Sequence, residues 1–167
     1  MTGHTTGRGR KAKPGRITFV GSGPGDPGLL TTRARAVLAN AACVFTDPDV
    51  PEAVLKLVGT DLPPAVGPAP APVSPAAEGA EAIESPVVSV GPDIRPALGE
   101  PAEVAKTLAA EAKAGADVVR LVAGDPLSVD AVITEVTAVS KTHLPFEIVP
   151  GLPGTVAVPS YAGLPLG

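Results

Sequence analysis

Residues Ile17-Thr-Phe-Val-Gly-Ser-Gly-Pro-Gly-Asp-Pro-Gly-Leu-Leu30 restrict what this chain can fold into more than any other stretch. A short β-branched run empties into a turn dense in glycine and proline, and apolar residues then recur at helical spacing. Strand, tight loop, helix is how α/β proteins build ligand sites at the carboxyl ends of their strands. The prolines narrow the ligand. A phosphate cradle needs backbone N–H groups, and Pro24 and Pro27 have none. Such a loop presents carbonyl oxygen instead, which suits a cationic or neutral ligand.

The same order of elements repeats along the chain. Arg16–Gly21 predicts a first strand. Leu29, Leu30, Arg33, Val37 and Leu38 predict a helix with Thr31 and Thr32 in its first turn. Residues 42–46 predict a second strand ending at Asp47-Pro48-Asp49, and Pro51 opens a short helix through Val58 with Gly59 as its stop. Residues 60–101 hold ten of the 21 prolines. They read as a Pro/Ala-rich surface insertion without secondary structure until about Pro101. Beyond it a helix begins at Pro101, with Glu103 in its first turn, Lys113 in its last and Gly115 closing it. Residues 117–122 predict a third strand running into Ala123-Gly124-Asp125-Pro126. A helix follows whose inner face is Val129, Val132, Ile133, Val136 and Val139. Residues 146–149 predict a fourth strand, emptying into Pro150-Gly-Leu-Pro-Gly154, and a last helix starts near Thr155.

Alternating strands and helices predict an α/β fold with a mainly parallel sheet and helices on both faces. Three of the four strands end in Gly/Pro loops, which a parallel sheet gathers on one edge as a binding rim.

Several function classes are disfavoured. A dinucleotide fingerprint would need a third glycine where Asp26 stands, and no G-K-[ST] follows for a phosphate loop. With one Tyr, three Phe and no Trp, base stacking has little to work with, so no nucleic-acid partner is expected. The single cysteine, Cys43, excludes an intrachain disulfide, and with only His4 and His143 beside it no metal cluster is expected. No apolar run reaches the roughly 18 residues of a membrane span. The N-terminus lacks the apolar centre of a signal peptide, which leaves the cytoplasm as the default. Residues 1–16 carry Arg8, Arg10, Lys11, Lys13 and Arg16 with no acid, against a net charge of −4 overall, and read as a disordered solubilising tail.

Gly21-Ser-Gly-Pro-Gly-Asp-Pro-Gly-Leu-Leu-Thr31 resembles the opening signature of the tetrapyrrole methylases, in particular the uroporphyrinogen-III C-methyltransferase branch. Val119-Arg-Leu-Val-Ala-Gly-Asp-Pro126, Glu147-Ile-Val-Pro-Gly151 and Ser160-Tyr-Ala-Gly-Leu-Pro165 resemble three further signatures, in the same order. Four ordered matches span residues 17–167 apart from the insertion. The resemblance implies S-adenosylmethionine as cofactor and methylation of uroporphyrinogen III towards precorrin-2, sirohaem and cobalamin. It also implies a homodimer and a second α/β domain beyond the stretch seen here. By position it assigns Pro24, Ala123, Gly124, Asp125, Ser128, Pro153 and Gly154 to the cofactor. Asp47 matches the family's proposed proton acceptor; read on its residue type alone, it is equally a turn residue before Pro48.

The chain also departs from the family pattern. Asp47-Pro48-Asp49 stands where Asp-Arg-Leu is usual, losing a cation and gaining an acid at the mouth of the site. Leu127-Ser-Val-Asp130 replaces a Phe-Gly-Arg-Gly run. A Lys-Arg pair before the third helix is not recognisable, Arg95 being the nearest cation. Against a polycarboxylate substrate these changes weaken attraction. They leave two alternatives: a cofactor-binding fragment without catalysis, or a methylase of the same fold for another acceptor.

Overall fold

The computed structural model describes residues 13–60 and 92–165. Among these residues five parallel strands lie in the order β3-β2-β4-β1-β5: β1 Ile17–Gly21, β2 Cys43–Thr46, β3 Asp93–Pro96, β4 Val118–Val122 and β5 Phe146–Val149. The helices are α1 Thr32–Ala39, α2 Glu52–Leu55, α3 Pro101–Lys113, α4 Asp130–Ser140 and α5 Gly154–Tyr161, with 3-10 turns at Pro27–Leu29 and Pro126–Ser128. The expected α/β architecture is the observed one.

The central strands are buried on both faces, as a parallel sheet covered by helices requires. Val20, Val44, Val119 and Leu121 face α1 and α2, where Ala34, Leu38 and Val54 complete one core. Ile17, Phe19, Phe45 and Val118 face α3 and α4, meeting Leu108, Ala112 and Val139 in a second. Local chemistry sets the helix ends. Thr31 caps α1 through its hydroxyl, which accepts from the Ala34 amide at 3.1 Å. Pro101 occupies the first turn of α3, and Gly115, with φ 102°, closes the other end.

Three expectations fail. β3 lies inside the stretch assigned no secondary structure. Its four residues are all exposed, so no buried alternation marks it. Pro96 is tolerated because β3 is an edge strand among the described residues, paired there only with β2. Arg95, over the Phe45 ring, pairs with Asp93 and Glu111 and so anchors β3 to α3. Both hydrogen-bonded carboxylates hold its guanidinium above the ordinary arginine range. The helix expected through Val58 ends at Leu55 and continues only as turns to Gly59. Ile133, expected on the inner face of α4, is 40% exposed, and Glu135 takes a buried place instead. The basic tail through residue 12 and the insertion at 61–91 lie outside the described residues.

Cys43 is buried in β2, and that burial pushes its thiol up from the ordinary value, an effect Arg95 only partly offsets. A raised thiol favours the folded state below the ordinary thiol pKa, and the benefit fades as pH rises through the folded value. We therefore expect no reaction of the folded chain with Ellman's reagent at pH 8, and one equivalent on denaturation. Rapid labelling of the folded chain would show that β2 opens readily.

Candidate functional site

The chain leaves β1 towards α1 on one face and leaves β4 towards α4 on the other, although β1 and β4 are neighbours. Their carboxyl ends thus form a switch point, where the two departing loops leave a crevice between them. The loops are tied before they diverge. The Gly23 amide donates to the Gly124 carbonyl at 3.1 Å, and the Gly124 amide returns a bond to the Gly23 carbonyl at 3.0 Å. Both glycines have φ near 70°, a left-handed conformation that costs other residues about 1 kcal/mol or more. The loop after β5 closes against the same point: a Cβ on Gly21 would stand 2.6 Å from the Gly151 nitrogen.

Around this knot lies a cleft of about 410 Å³, within the roughly 300–1,000 Å³ usual for small-molecule sites. Pro24, Ala123, Gly124, Ser128, Pro153 and Gly154 all line it. These are six of the seven residues the resemblance assigned to a cofactor, drawn from three loops that lie between residues 24 and 154 of the chain. The carbonyls do not all behave alike. Those of Gly23 and Gly124 accept from each other's amides, whereas those of Pro24, Gly25 and Ala123 accept no hydrogen bond among the described residues. A Cβ at Gly124 or Gly154 would meet nothing within 4 Å, so the space beside them is open.

Asp125, the seventh residue, is not on the cleft wall. Its carboxylate caps the 3-10 turn by accepting from the Leu127 amide at 3.1 Å, and its other oxygen accepts from the Gly151 amide at 3.2 Å. It therefore fastens the β4 loop to the β5 loop. On the wall stands Asp49, exposed, its carboxylate without a hydrogen-bond or ion-pair partner among the described residues.

Asp47 lies at the end of β2 and faces Arg120 of β4. The Arg120 Nη2 donates to Asp47 Oδ1 at 2.6 Å. Behind it Glu135 of α4 accepts from Arg120 Nε at 2.8 Å and from Nη2 at 3.1 Å, while Nη1 donates to the Leu121 carbonyl at 3.1 Å. Arg120 and Glu135 have side chains only 3% and 2% exposed, and Asp47 is 21% exposed. Burial alone lowers the pKa of Arg120, but the bond and charge of Glu135, with Asp47, outweigh it and hold Arg120 above the ordinary arginine value. A group raised in this way keeps its contribution to stability at every pH below the ordinary arginine range. Sequence reasoning missed both Arg120 and Glu135. A signal existed for each: Arg120 is the one charge in the buried run of β4, and Glu135 stands between Val132 and Val139 on the apolar stripe of α4.

The profile of the Tetrapyrrole (Corrin/Porphyrin) Methylases matches residues 16–167. The S-adenosyl-L-methionine-dependent uroporphyrinogen III methyltransferase of Methanosarcina barkeri is 34% identical over 152 residues, covering 91% of this chain and 51% of the relative. Siroheme synthase 1 of Klebsiella pneumoniae is 33% identical, covering 91% of this chain and 27% of that protein. The chain thus spans about half, or less, of the curated relatives it matches. Among solved structures, uroporphyrin-III-C-methyltransferase from Thermus thermophilus superposes with a TM-score of 0.68 at 29% identity, over 91% of this chain and 54% of that one. A structure of the Thermus thermophilus enzyme complexed with S-adenyl homocysteine superposes at 0.65 with 30% identity, over 92% of this chain and 53% of that one.

Proposed function

Because this chain belongs to the tetrapyrrole (corrin/porphyrin) methylases, we propose that its carboxyl-edge cleft holds S-adenosylmethionine and that the protein methylates uroporphyrinogen III towards precorrin-2. The gathering of Pro24, Ala123, Gly124, Ser128, Pro153 and Gly154 around one cleft carries this reading. The donor set fits the cofactor. Unengaged carbonyls at Pro24, Gly25 and Ala123 favour a positive centre, proline offers no competing amide, and Gly124 and Gly154 keep the wall open.

When bound, the cofactor supplies an electrophilic methyl group on a sulfonium sulfur. The protein's part is to orient it and to exclude mispositioned encounters, which is where much of the acceleration of a bimolecular transfer arises. The loops suit that task because the Gly23–Gly124 bonds and the Asp125–Gly151 bond leave them little freedom. The acceptor carbon is fully substituted and becomes quaternary on taking the methyl, so charge balance requires a proton to leave elsewhere in the tetrapyrrole, from a ring nitrogen or a bridging carbon. Asp47 has one oxygen on Arg120 and the other without a partner among the described residues, and that second oxygen is the proton acceptor. Asp125 acts on the cofactor only through the loops it joins.

Asp49 favours a second reading. An unpaired carboxylate on the cleft wall helps hold a cationic cofactor but repels a polycarboxylate acceptor. A methylase for a less anionic acceptor satisfies both facts.

Calorimetric titration with S-adenosylmethionine, followed by transfer of labelled methyl to uroporphyrinogen III, tests the proposal. Saturable binding and a methylated tetrapyrrole are expected. The Asp47→Asn variant should lose about 100-fold in turnover, in the range of general-base catalysis, with cofactor affinity unchanged. Full turnover by Asp47→Asn would remove its role. Cofactor binding without transfer would mark a non-catalytic module, and transfer only to another acceptor would favour the second reading.

A further inference from the structure

A buried ion pair is a poor way to stabilise a core, since matched apolar side chains do as well or better. Arg120 and Glu135 therefore call for another explanation, and their geometry supplies one. All three guanidinium nitrogens are engaged: Nε and Nη2 with Glu135, Nη1 with the Leu121 carbonyl, and Nη2 also with Asp47. A planar fork fixed at three corners cannot swing, so the one bond it extends to the sheet edge has a fixed direction. That bond ends on Asp47 Oδ1, at the carboxyl end of β2, where the carboxylate emerges from the core.

We propose that Arg120 and Glu135 are positioning residues for Asp47, Arg120 pinning one carboxylate oxygen and Glu135 balancing the charge that Arg120 brings. The inference rests on the proton-accepting role proposed above for Asp47. A base needs a defined direction. Arg120 gives that direction, but alone it would leave a buried cation met only by the partly exposed Asp47. Glu135, bidentate on the far side, restores a net negative triad. The other charged groups nearby are already committed or remote in exposure. Arg95 of β3 is paired with Asp93 and with Glu111 of α3, Asp125 is bonded to the Leu127 and Gly151 amides, and Asp49 points to the open cleft.

Arginine side-chain nitrogen-15 NMR of the chain at constant pH reads this directly and needs no turnover. In the unaltered chain the Arg120 Nη groups should give separate, slowly exchanging signals, because Glu135, the Leu121 carbonyl and Asp47 hold the fork. In Glu135→Gln rotation of the guanidinium should quicken and those signals broaden and merge, while in the transfer assay kcat falls and cofactor affinity stays intact. Glu135→Asp, which keeps the charge, should restore part of both. Arg120 signals unchanged by Glu135→Gln would overturn the proposal, as would full kcat in a variant whose Arg120 swings freely. If Glu135→Gln does not fold, Glu135→Asp decides alone, with unchanged Arg120 signals as the negative result. A held Arg120 released by Glu135→Gln, together with full turnover by Asp47→Asn, would uphold the positioning while refuting the base.

Discussion

Arg120→Ala is expected to destabilise the fold by about 4 kcal/mol, the range found when one partner of a buried ion pair is removed. Glu135 would then keep its charge in a core position only 2% exposed, facing the hole left by the guanidinium. Asp47 would lose its bond as well, although at 21% exposure it can hydrate. For a chain of this size the loss corresponds to a fall in melting temperature of roughly 8–16 °C. Thermal unfolding followed by circular dichroism measures it. The companion experiment is Arg120→Met with Glu135→Leu. Replacing both charges with apolar groups of similar volume should recover most of the stability, because no charge is left buried alone. Equal destabilisation by the single and double changes would mean that packing, not charge, holds this part of the core.

The second large effect is expected at Gly151→Ala. Three loops meet there with only hydrogen atoms between their backbones. A Cβ on Gly151 would overlap the Gly124 carbonyl oxygen and stand 2.9 Å from both the Cα and the carbonyl carbon of Gly21. None of these is the end of a flexible side chain that can turn away. The knot has to open, breaking the Asp125–Gly151 bond and straining the paired amides of Gly23 and Gly124. We expect a loss of about 3 kcal/mol, the upper end of overpacking costs, and a melting temperature lower by roughly 6–12 °C. The cleft is built on the same contacts, so affinity for S-adenosylmethionine should fall with stability. Gly154→Ala is the control. It also adds a methyl at the cleft but meets no atom within 4 Å, so stability should hold. If Gly151→Ala unfolds at the temperature of the unaltered chain, the close approach of the three loops is not what fixes the rim.

These contacts separate what was legible in the sequence from what was not. β1, β4 and β5 announced themselves because apolar runs ended in Gly/Pro turns, β2 because its run ended at Asp47-Pro48-Asp49, and α3 because its apolar stripe, its proline start and its glycine stop agreed. β3 did not, since an edge strand of four exposed residues has no burial to print on the sequence. The six cleft residues and Asp125 lie in the matched motifs, but the direction of a loop side chain is not a property of its position in a motif. That the Asp125 carboxylate turns to the Leu127 and Gly151 amides is seen only in the fold.

The sequence by itself determined the order of strands and helices apart from β3, the parallel α/β class and the proline-rich character of the rim. All of these follow from local periodicity and from the backbone limits of proline and glycine. Only the tertiary structure decided that β1 and β4 lie side by side, that Gly21, Gly124 and Gly151 touch, and that Arg120 bridges Asp47 and Glu135. Those pairings span 15 to more than 100 residues of chain. They arise because sheet closure brings distant segments within bonding range, where a desolvated charge must find its partner or go unpaid.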